Sequence, residues 1–269
     1  MMRPRSNTSE TGRPCGRWAR RLLLFRLSSW RVDLALTLAA VGIVAWSRFA
    51  HLANGPWEWD EAAFARAVLD FDLAAYFPHP PGYPGWIALG RVFDLFAPEP
   101  LVALQWASAA FSVAALWALA ALGRRVAAPS VAVVAALILL LAPGPSLYAV
   151  RGFSSTTSAV LALAAAAVAV GGLGGARPTA FTVLVAASLL VRPNMLPPLA
   201  VLWLGVAWAV RPRRRLVPGI LIALAMGGLA LGAMAVAEGG VGQVVEVFVR
   251  HSQRHFSRLV GNLGGVGDL

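Results

Sequence analysis

The segment from Gly55 to Pro84 concentrates side chains that can do chemistry within an otherwise apolar chain. It ends in the run His79-Pro80-Pro81-Gly82-Tyr83-Pro84. It also contains five carboxylates, at Glu58, Asp60, Glu61, Asp70 and Asp72. Charged groups close to a bilayer are costly and usually functional, so an acidic, proline-broken loop between apolar segments predicts an active-site loop.

Asp60 has the position of a general base, because a carboxylate can take the proton of a hydroxyl group as that group attacks an electrophilic carbon. Glu61 lies about 100° further round a helix and need not face the same substrate. We therefore place Glu61 in the catalytic pair in a positioning or capping role. The structural alternative for Asp60 is the N-cap of a helix over residues 60–72. Glu58 is interpreted as a solvated loop charge.

Several cations could bind a phosphate group. His79 either contacts such a group or hydrogen-bonds a loop carbonyl, and guanidinium groups bind phosphate in bidentate fashion. The candidate arginines are Arg151, Arg192, Arg250, Arg254 and Arg258. Contact with lipid headgroups is the alternative for any one of them. Arg192 is the exception, because a charge within a broken membrane segment needs a partner.

His251 and His255 have the i, i+4 spacing of metal ligands. A third ligand is not adjacent in the sequence, although Glu58, Asp60 and His79 could complete a site in three dimensions. We therefore assign neither a cofactor nor a metal ligand from the sequence, and the binding of a divalent metal stays an open alternative.

The composition is that of a membrane protein. The chain has 269 residues, 58% of them hydrophobic, with a formal net charge of +11 and a mean hydropathy of +0.69. All 23 basic residues are arginine, in clusters that suit membrane topology signals rather than nucleic-acid binding. Cys15 is the one cysteine, so an internal disulfide is excluded.

The apolar segments predict an all-α, polytopic membrane protein with about seven spans. The expected spans are 33–50, 100–122, 130–149, 156–173, 178–192, 195–210 and 217–237. The arginine-rich tail, residues 1–32, places the N-terminus in the cytoplasm and the acidic loop, residues 51–99, outside. Spans 178–192 and 195–210 meet at a Pro-Asn turn and are predicted to be a broken or re-entrant pair.

Three further segments are predicted to lie at the outer surface. Residues 60–72 place Phe64, Ala67 and Val68 on one helix face. Residues 83–97 are too short to span and include two charges. In the outer segment 238–269, an amphipathic helix over 241–260 has one apolar face, built from Val245, Phe248, Val249, Phe256, Leu259 and Val260.

An Asp-Glu pair soon after a first span, followed by HPPGYP, resembles the polyprenyl-phosphate-sugar glycosyltransferases of the GT-C superfamily. The protein O-mannosyltransferase and aminoarabinose transferase types are the most similar in pattern. The resemblance implies a GT-C-like fold over 33–237 and transfer of a sugar from a polyprenyl-phosphate donor to a lipid, glycan or protein acceptor. It also implies that Asp60 and Glu61 are catalytic. Members are usually longer, so the chain has the pattern of an N-terminal portion.

With a polyprenyl-phosphate donor, the candidate cations have a defined ligand. His79, Arg192, Arg250 and Arg254 are then the predicted donor-phosphate ligands. Where the aminoarabinose transferase type has Lys, this chain has His79. Trp57, Trp59 and Tyr83 either contact the sugar or form an interfacial aromatic belt.

Two other functions stay open: a transporter or lipid-binding protein, and an inactive truncated relative. A transporter predicts polar residues in the middle of facing spans, whereas the polar groups here gather at one end. The enzyme is therefore favoured, in the plasma membrane, with membrane lipids as neighbours and no nucleic-acid partner.

Overall fold

The computed structural model describes the backbone of residues 30–264 and the side chains of residues 31–254. Within this range the chain is helical, with one isolated β-bridge between Asp72 and Phe77. The helices are α1 (Trp30–Phe49), α2 (Trp59–Leu69), α3 (Pro84–Asp94), α4 (Pro100–Gly123), α5 (Pro129–Leu141), α6 (Pro143–Ala149), α7 (Ser154–Val170), α8 (Arg177–Val191), α9 (Leu196–Ala209), α10 (Val217–Glu238) and α11 (Val241–Gly264). The predicted all-α class is confirmed. The arginine-rich tail up to residue 29 and Cys15 lie outside the described residues.

Three stretches are long and apolar enough to cross a membrane: Arg31–Phe49, Pro100–Gly123 and Arg213–Glu238. The pair α5 and α6 makes a fourth if it counts as one span. Helices α7, α8 and α9 have 17, 15 and 14 residues, below the ~20 that a perpendicular span requires. The described residues thus provide three or four candidate spans, compared with the seven predicted.

The structure has the break predicted between α8 and α9 and also a bend within the predicted span 130–149. Residues 130–149 were predicted to be one span, and in the structure they form α5 and α6, which meet at an angle of 69°. Pro143 lacks an N–H and disfavours a helical residue before it, so the helix stops and restarts at Ala142. Between α8 and α9 the break is at Arg192, whose backbone is extended, followed by a 3₁₀ turn at Pro193–Met195.

Helix α4 is central, because it packs against α1, α2, α3, α5 and α7. Its small residues Ala103, Ala107 and Ser108 are fully buried and let the neighbouring helices approach closely. Leu104 packs into the cluster that contains Phe64 and Trp86, beneath the acidic loop. The loop is therefore anchored on the most buried helix of the bundle.

Helices α2 and α3 have 11 residues each, about 16 Å at 1.5 Å per residue, and neither can cross a hydrocarbon core of ~30 Å. The predicted apolar face of α2 is confirmed, because Phe64, Ala67 and Val68 are buried. Gly90 lets α3 contact α2 and α4, since a Cβ there would lie 2.7 Å from side-chain atoms of Val68 and Leu104. Both helices therefore pack on α4 without being long enough to span a membrane.

The two ends of the bundle differ in charge. At one end, the guanidinium of Arg177 donates to the carbonyl of Gly171, and the guanidinium of Arg125 lies beside the same glycine. At the opposite end, the carboxylate of Glu238 accepts a 2.6 Å hydrogen bond from the amide of Leu73 in the acidic loop. The described contacts at the first end thus involve arginines, whereas the carboxylates of the loop lie at the second end together with Arg151 and Arg192.

Helix α11 packs on the acidic loop through a different face from the predicted one. Val244 is buried against Leu73 and Met234, whereas Val245 and Val249 are 53% and 48% exposed. The sequence has two neighbouring apolar stripes, and only tertiary contact selects between them. Phe248 lies on the contacting side, as expected. The side chains of Phe256, Leu259 and Val260 lie outside the described range.

Candidate active site

The first turn of α2 positions the two catalytic candidates. The helix begins at Trp59, and its N-cap is Glu58, with extended backbone and no side-chain cap bond. The structural alternative in which Asp60 is the N-cap is therefore wrong, because Asp60 already lies inside the first turn. Its side chain is 45% exposed, so the carboxylate is open to a ligand.

Asp60, His79 and Tyr83 form a row of contacts. The Nδ1 atom of His79 is 3.6 Å from Oδ1 of Asp60, and its Nε2 atom is 3.0 Å from the hydroxyl of Tyr83. The His79 Nδ1 atom is buried without a hydrogen-bond partner among the described residues. Asp60 is thus the polar group closest to satisfying it.

Burial lowers the pKa of His79 below its usual value; Asp60 opposes this shift and Arg192 adds to it. The imidazole is therefore neutral at pH 7. Burial also raises the pKa of Tyr83 above its usual value. The pair therefore presents a neutral imidazole and a phenol, and neither places a fixed charge beside Asp60.

The turn between His79 and α3 holds Tyr83 under the imidazole. Gly82 and Tyr83 have φ of 92° and 47°, a left-handed region that is costly for tyrosine and usual at functional sites. Tyr83 is 4% exposed, so its ring is not available for the sugar stacking that the sequence suggested. Trp57 and Trp59, at 66% and 65% exposed, keep open surfaces.

Glu61 has a different environment from Asp60. Its side chain is fully buried and lies 3.5 Å from Nη1 of Arg151. Its two oxygens accept hydrogen bonds from the amides of Trp57, at 2.7 Å, and Gly152, at 2.9 Å. The guanidinium of Arg151 also stacks on the ring of Trp57, 3.5 Å from its centroid. These contacts fit the positioning part of the role predicted for Glu61.

A cavity of about 550 Å³ opens beside Asp60, and we name it the carboxylate cavity. Glu58, Asp60 and Arg192 contribute its charged groups. Its remaining walls are mostly apolar and come from α4 to α7, including Leu119, Leu139, Leu140, Tyr148, Val160 and Leu163. The cavity therefore has a charged part that is continuous with a hydrocarbon-like part.

Arg192 reaches this cavity from the break between α8 and α9. Its Nη1 atom donates to Oγ of Ser154 at 3.2 Å. The first turn of α7 contributes Ser155 and Thr156 to the same wall. Amides in a first helical turn have no intrahelical acceptor, so a guanidinium and a helix N-terminus meet at the charged part of the cavity, an arrangement that favours an anion.

The structure does not bring the arginines of α11 to the carboxylate cavity. Arg250 pairs with Glu246 one turn earlier on an exposed surface, so its predicted role as a phosphate ligand lacks support from the geometry. Nη1 of Arg254 is 3.5 Å from the Tyr76 hydroxyl. The side chains of His255 and Arg258 lie outside the described range. Within that range, His, Cys, Asp and Glu form no group of three that could hold a metal.

Sequence reasoning missed Arg48 at the end of α1. It is 1% exposed and donates to the hydroxyls of Ser112, at 3.1 Å, and Ser146, at 3.0 Å, and to the carbonyl of Leu140. Ser112 and Leu140 both line the carboxylate cavity, so Arg48 supports its wall from behind. The signal in the sequence that could have identified it is an arginine at the end of an apolar span.

Comparison of the chain with protein-family models, with curated proteins and with solved structures finds no match.

Proposed function

We propose that this protein is a membrane glycosyltransferase that transfers a sugar from a polyprenyl-phosphate donor to an acceptor hydroxyl group. The observation that carries the proposal is the carboxylate cavity, which joins Asp60 and Arg192 to an apolar wall. A polyprenyl-phosphate sugar has the complementary parts: a polar sugar, an anionic phosphate and a hydrocarbon chain. The resemblance of the Asp-Glu pair and HPPGYP to the GT-C superfamily supports the same reaction.

In the proposed reaction the acceptor oxygen attacks the anomeric carbon of the donor. The acceptor proton passes to Asp60, a new C–O bond forms, and the bond between the anomeric carbon and the phosphate oxygen breaks. The polyprenyl phosphate leaves with the electron pair of that bond. Arg192 and the first turn of α7 stabilise the phosphate charge that develops.

His79 and Tyr83 have a positioning role in this scheme. In the neutral tautomer that suits both neighbours, Nδ1 carries the proton and faces Asp60. The Nε2 atom accepts a hydrogen bond from the Tyr83 hydroxyl group. That tautomer orients the carboxylate without neutralising it, because the imidazole carries no charge.

Arg192→Ala tests the phosphate assignment. A hydrogen bond to a charged group is worth about 1.5–3 kcal/mol, so the dissociation constant for undecaprenyl phosphate should rise roughly 10- to 150-fold. The measurement is equilibrium binding to the purified protein. Arg177→Ala removes the same charge at the opposite end of the bundle, where Arg177 contacts Gly171, and should leave binding unchanged. Equal losses in both variants would indicate a nonspecific charge response and would refute the assignment.

We also propose a plasma-membrane location with seven membrane passages, with the arginine-rich end of the bundle in the cytoplasm and the acidic loop outside. The concentration of carboxylates in the loop, with Arg125 and Arg177 at the opposite end, supports this orientation through the positive-inside rule. In a Cys15→Ser background, Asn54→Cys should react with an impermeant maleimide added to intact cells. Arg213→Cys should react only after the membrane is opened. Labelling of Arg213→Cys in intact cells would refute this topology and would require residues 83–97 to cross the membrane.

A further inference from the structure

A second cavity lies beside His79, and we name it the imidazole cavity. Its volume is about 420 Å³, within the range of small-molecule sites. The loop before α3, the turn before α9 and helix α11 enclose it. Its lining includes His79, Tyr83, Asn194, Phe248, His251 and Ser252. None of the residues that line the carboxylate cavity lines this one.

His79 brings the two cavities close to each other. It lines the imidazole cavity, and its Nδ1 atom is 3.6 Å from Asp60, which lines the carboxylate cavity. A ligand in the imidazole cavity therefore lies on the His79 and Tyr83 side of the proposed base.

The lining of the imidazole cavity indicates the chemistry of its ligand. The His251 imidazole, the Asn194 amide and the Ser252 hydroxyl provide hydrogen-bonding groups, and Phe248 and two prolines provide apolar surface. His79 and Tyr83, which contact each other, form part of the wall. Its lining residues include neither a carboxylate nor a guanidinium. Uncharged hydrogen-bonding groups beside a ring face suit an uncharged, polyhydroxylated ligand, because each hydroxyl finds a partner and the C–H faces of the sugar cover apolar surface.

A peptide is a poorer fit to this cavity. Extended peptides bind mainly by adding a strand to a sheet edge or by lying in an open groove. The described residues offer one isolated bridge, Asp72 to Phe77, and no sheet edge. The cavity is bounded on three sides by the loop, the turn and α11, which suits a compact sugar ring better than a continuous chain.

We infer that the imidazole cavity binds the acceptor and that the acceptor is a saccharide. The inference rests on the proposed function, and it has the acceptor hydroxyl reach Asp60 from the side of His79 and Tyr83. The proton of that hydroxyl passes to Asp60 as its oxygen bonds to the anomeric carbon of the donor sugar, and the polyprenyl phosphate departs.

Protection from labelling tests saccharide binding without any requirement for turnover. Ser252 lies at the rim of the cavity, and Ser252→Cys in the Cys15→Ser protein gives one reactive thiol. The methyl glycosides of mannose, galactose, arabinose and N-acetylglucosamine are the probes, and a Ser/Thr-rich peptide is the comparison. At least one glycoside should slow the reaction of the introduced thiol with a maleimide. The matched control is Asp70→Cys, on the exposed side of α2, where no glycoside should have an effect.

An assay of turnover distinguishes a failure of this inference from a failure of the proposed function. A maleimide on the thiol introduced by Ser252→Cys should abolish sugar transfer to a lipid-linked glycan extract of the native membrane. It should spare the slower release of free sugar from the donor, in which water replaces the acceptor. Absence of both activities in the unlabelled protein would refute the proposed function, and the protection result would still decide the saccharide assignment. Protection by the peptide alone, protection by no probe, or loss of hydrolysis together with transfer would each overturn the inference.

Discussion

Sugar transfer by the Asp60→Asn protein is expected to be about 10²–10⁴-fold slower than transfer by the parent, because the substitution removes the general base. Asparagine keeps the size of the side chain and most of its hydrogen bonding. The fold should survive, because the N-cap of α2 is Glu58 and the Asp60 side chain is 45% exposed. The only expected structural cost is the lost interaction of a carboxylate with the helix dipole, about 0.3–1 kcal/mol.

The measurement is transfer from a polyprenyl-phosphate sugar in the native membrane, with donor binding and thermal unfolding followed in parallel. Glu58→Gln is the matched control, because Glu58 is a second carboxylate of the same cavity and lies two residues away. It should keep most of the activity. An Asp60→Asn protein that folds and transfers at the parent rate would contradict the general-base assignment and remove the main residue-level support for the proposed function.

The local features of the loop could be predicted from the sequence because they depend on neighbouring residues. The spacing of Phe64, Ala67 and Val68 gave the buried face of α2. The run of prolines and glycine that ends at Pro84 predicted that a new helix, α3, begins there. The pairing of Arg66 with Asp70 at 3.2 Å, on the exposed face, also follows from an i, i+4 spacing.

Features that depend on distant parts of the chain could not be predicted. Glu61 and Asp60 are adjacent in the sequence, yet one is fully buried and the other is 45% exposed. The difference arises because Gly152 and Arg151 lie about ninety residues further along and approach only Glu61. No local pattern contains that information.

The contacting face of α11 and the partners of Arg48 have the same explanation. Val244 and Val245 are equally apolar, and contact with Leu73 and Met234 selects Val244. Arg48 needs hydroxyls from two other helices to be buried. Secondary structure and amphipathic faces therefore follow from local spacing, whereas the identity of each buried polar contact follows from the tertiary packing.

Glu61→Ala is expected to destabilise the protein by about 3–5 kcal/mol, the usual cost of leaving a buried charge without its partner. It removes the acceptor for the amides of Trp57 and Gly152 and leaves Arg151, 8% exposed, without its carboxylate. The apparent midpoint of thermal unfolding in detergent should fall by on the order of 10 °C. Asp70→Ala, which removes an exposed carboxylate from the end of the same helix, should cost only about 0.3–0.5 kcal/mol.

The double variant Glu61→Ala, Arg151→Leu identifies the source of the loss. If the stranded guanidinium dominates, replacing it with an apolar side chain should recover part of the stability lost in Glu61→Ala. If the two amides dominate, the double variant should be no more stable than the single one. Activity per folded molecule should fall in either case, because the bond from Gly152 to Glu61 ties the first turn of α2, and with it Asp60, to the start of α7. A Glu61→Ala protein with parent stability would show that this carboxylate does not hold the loop in place.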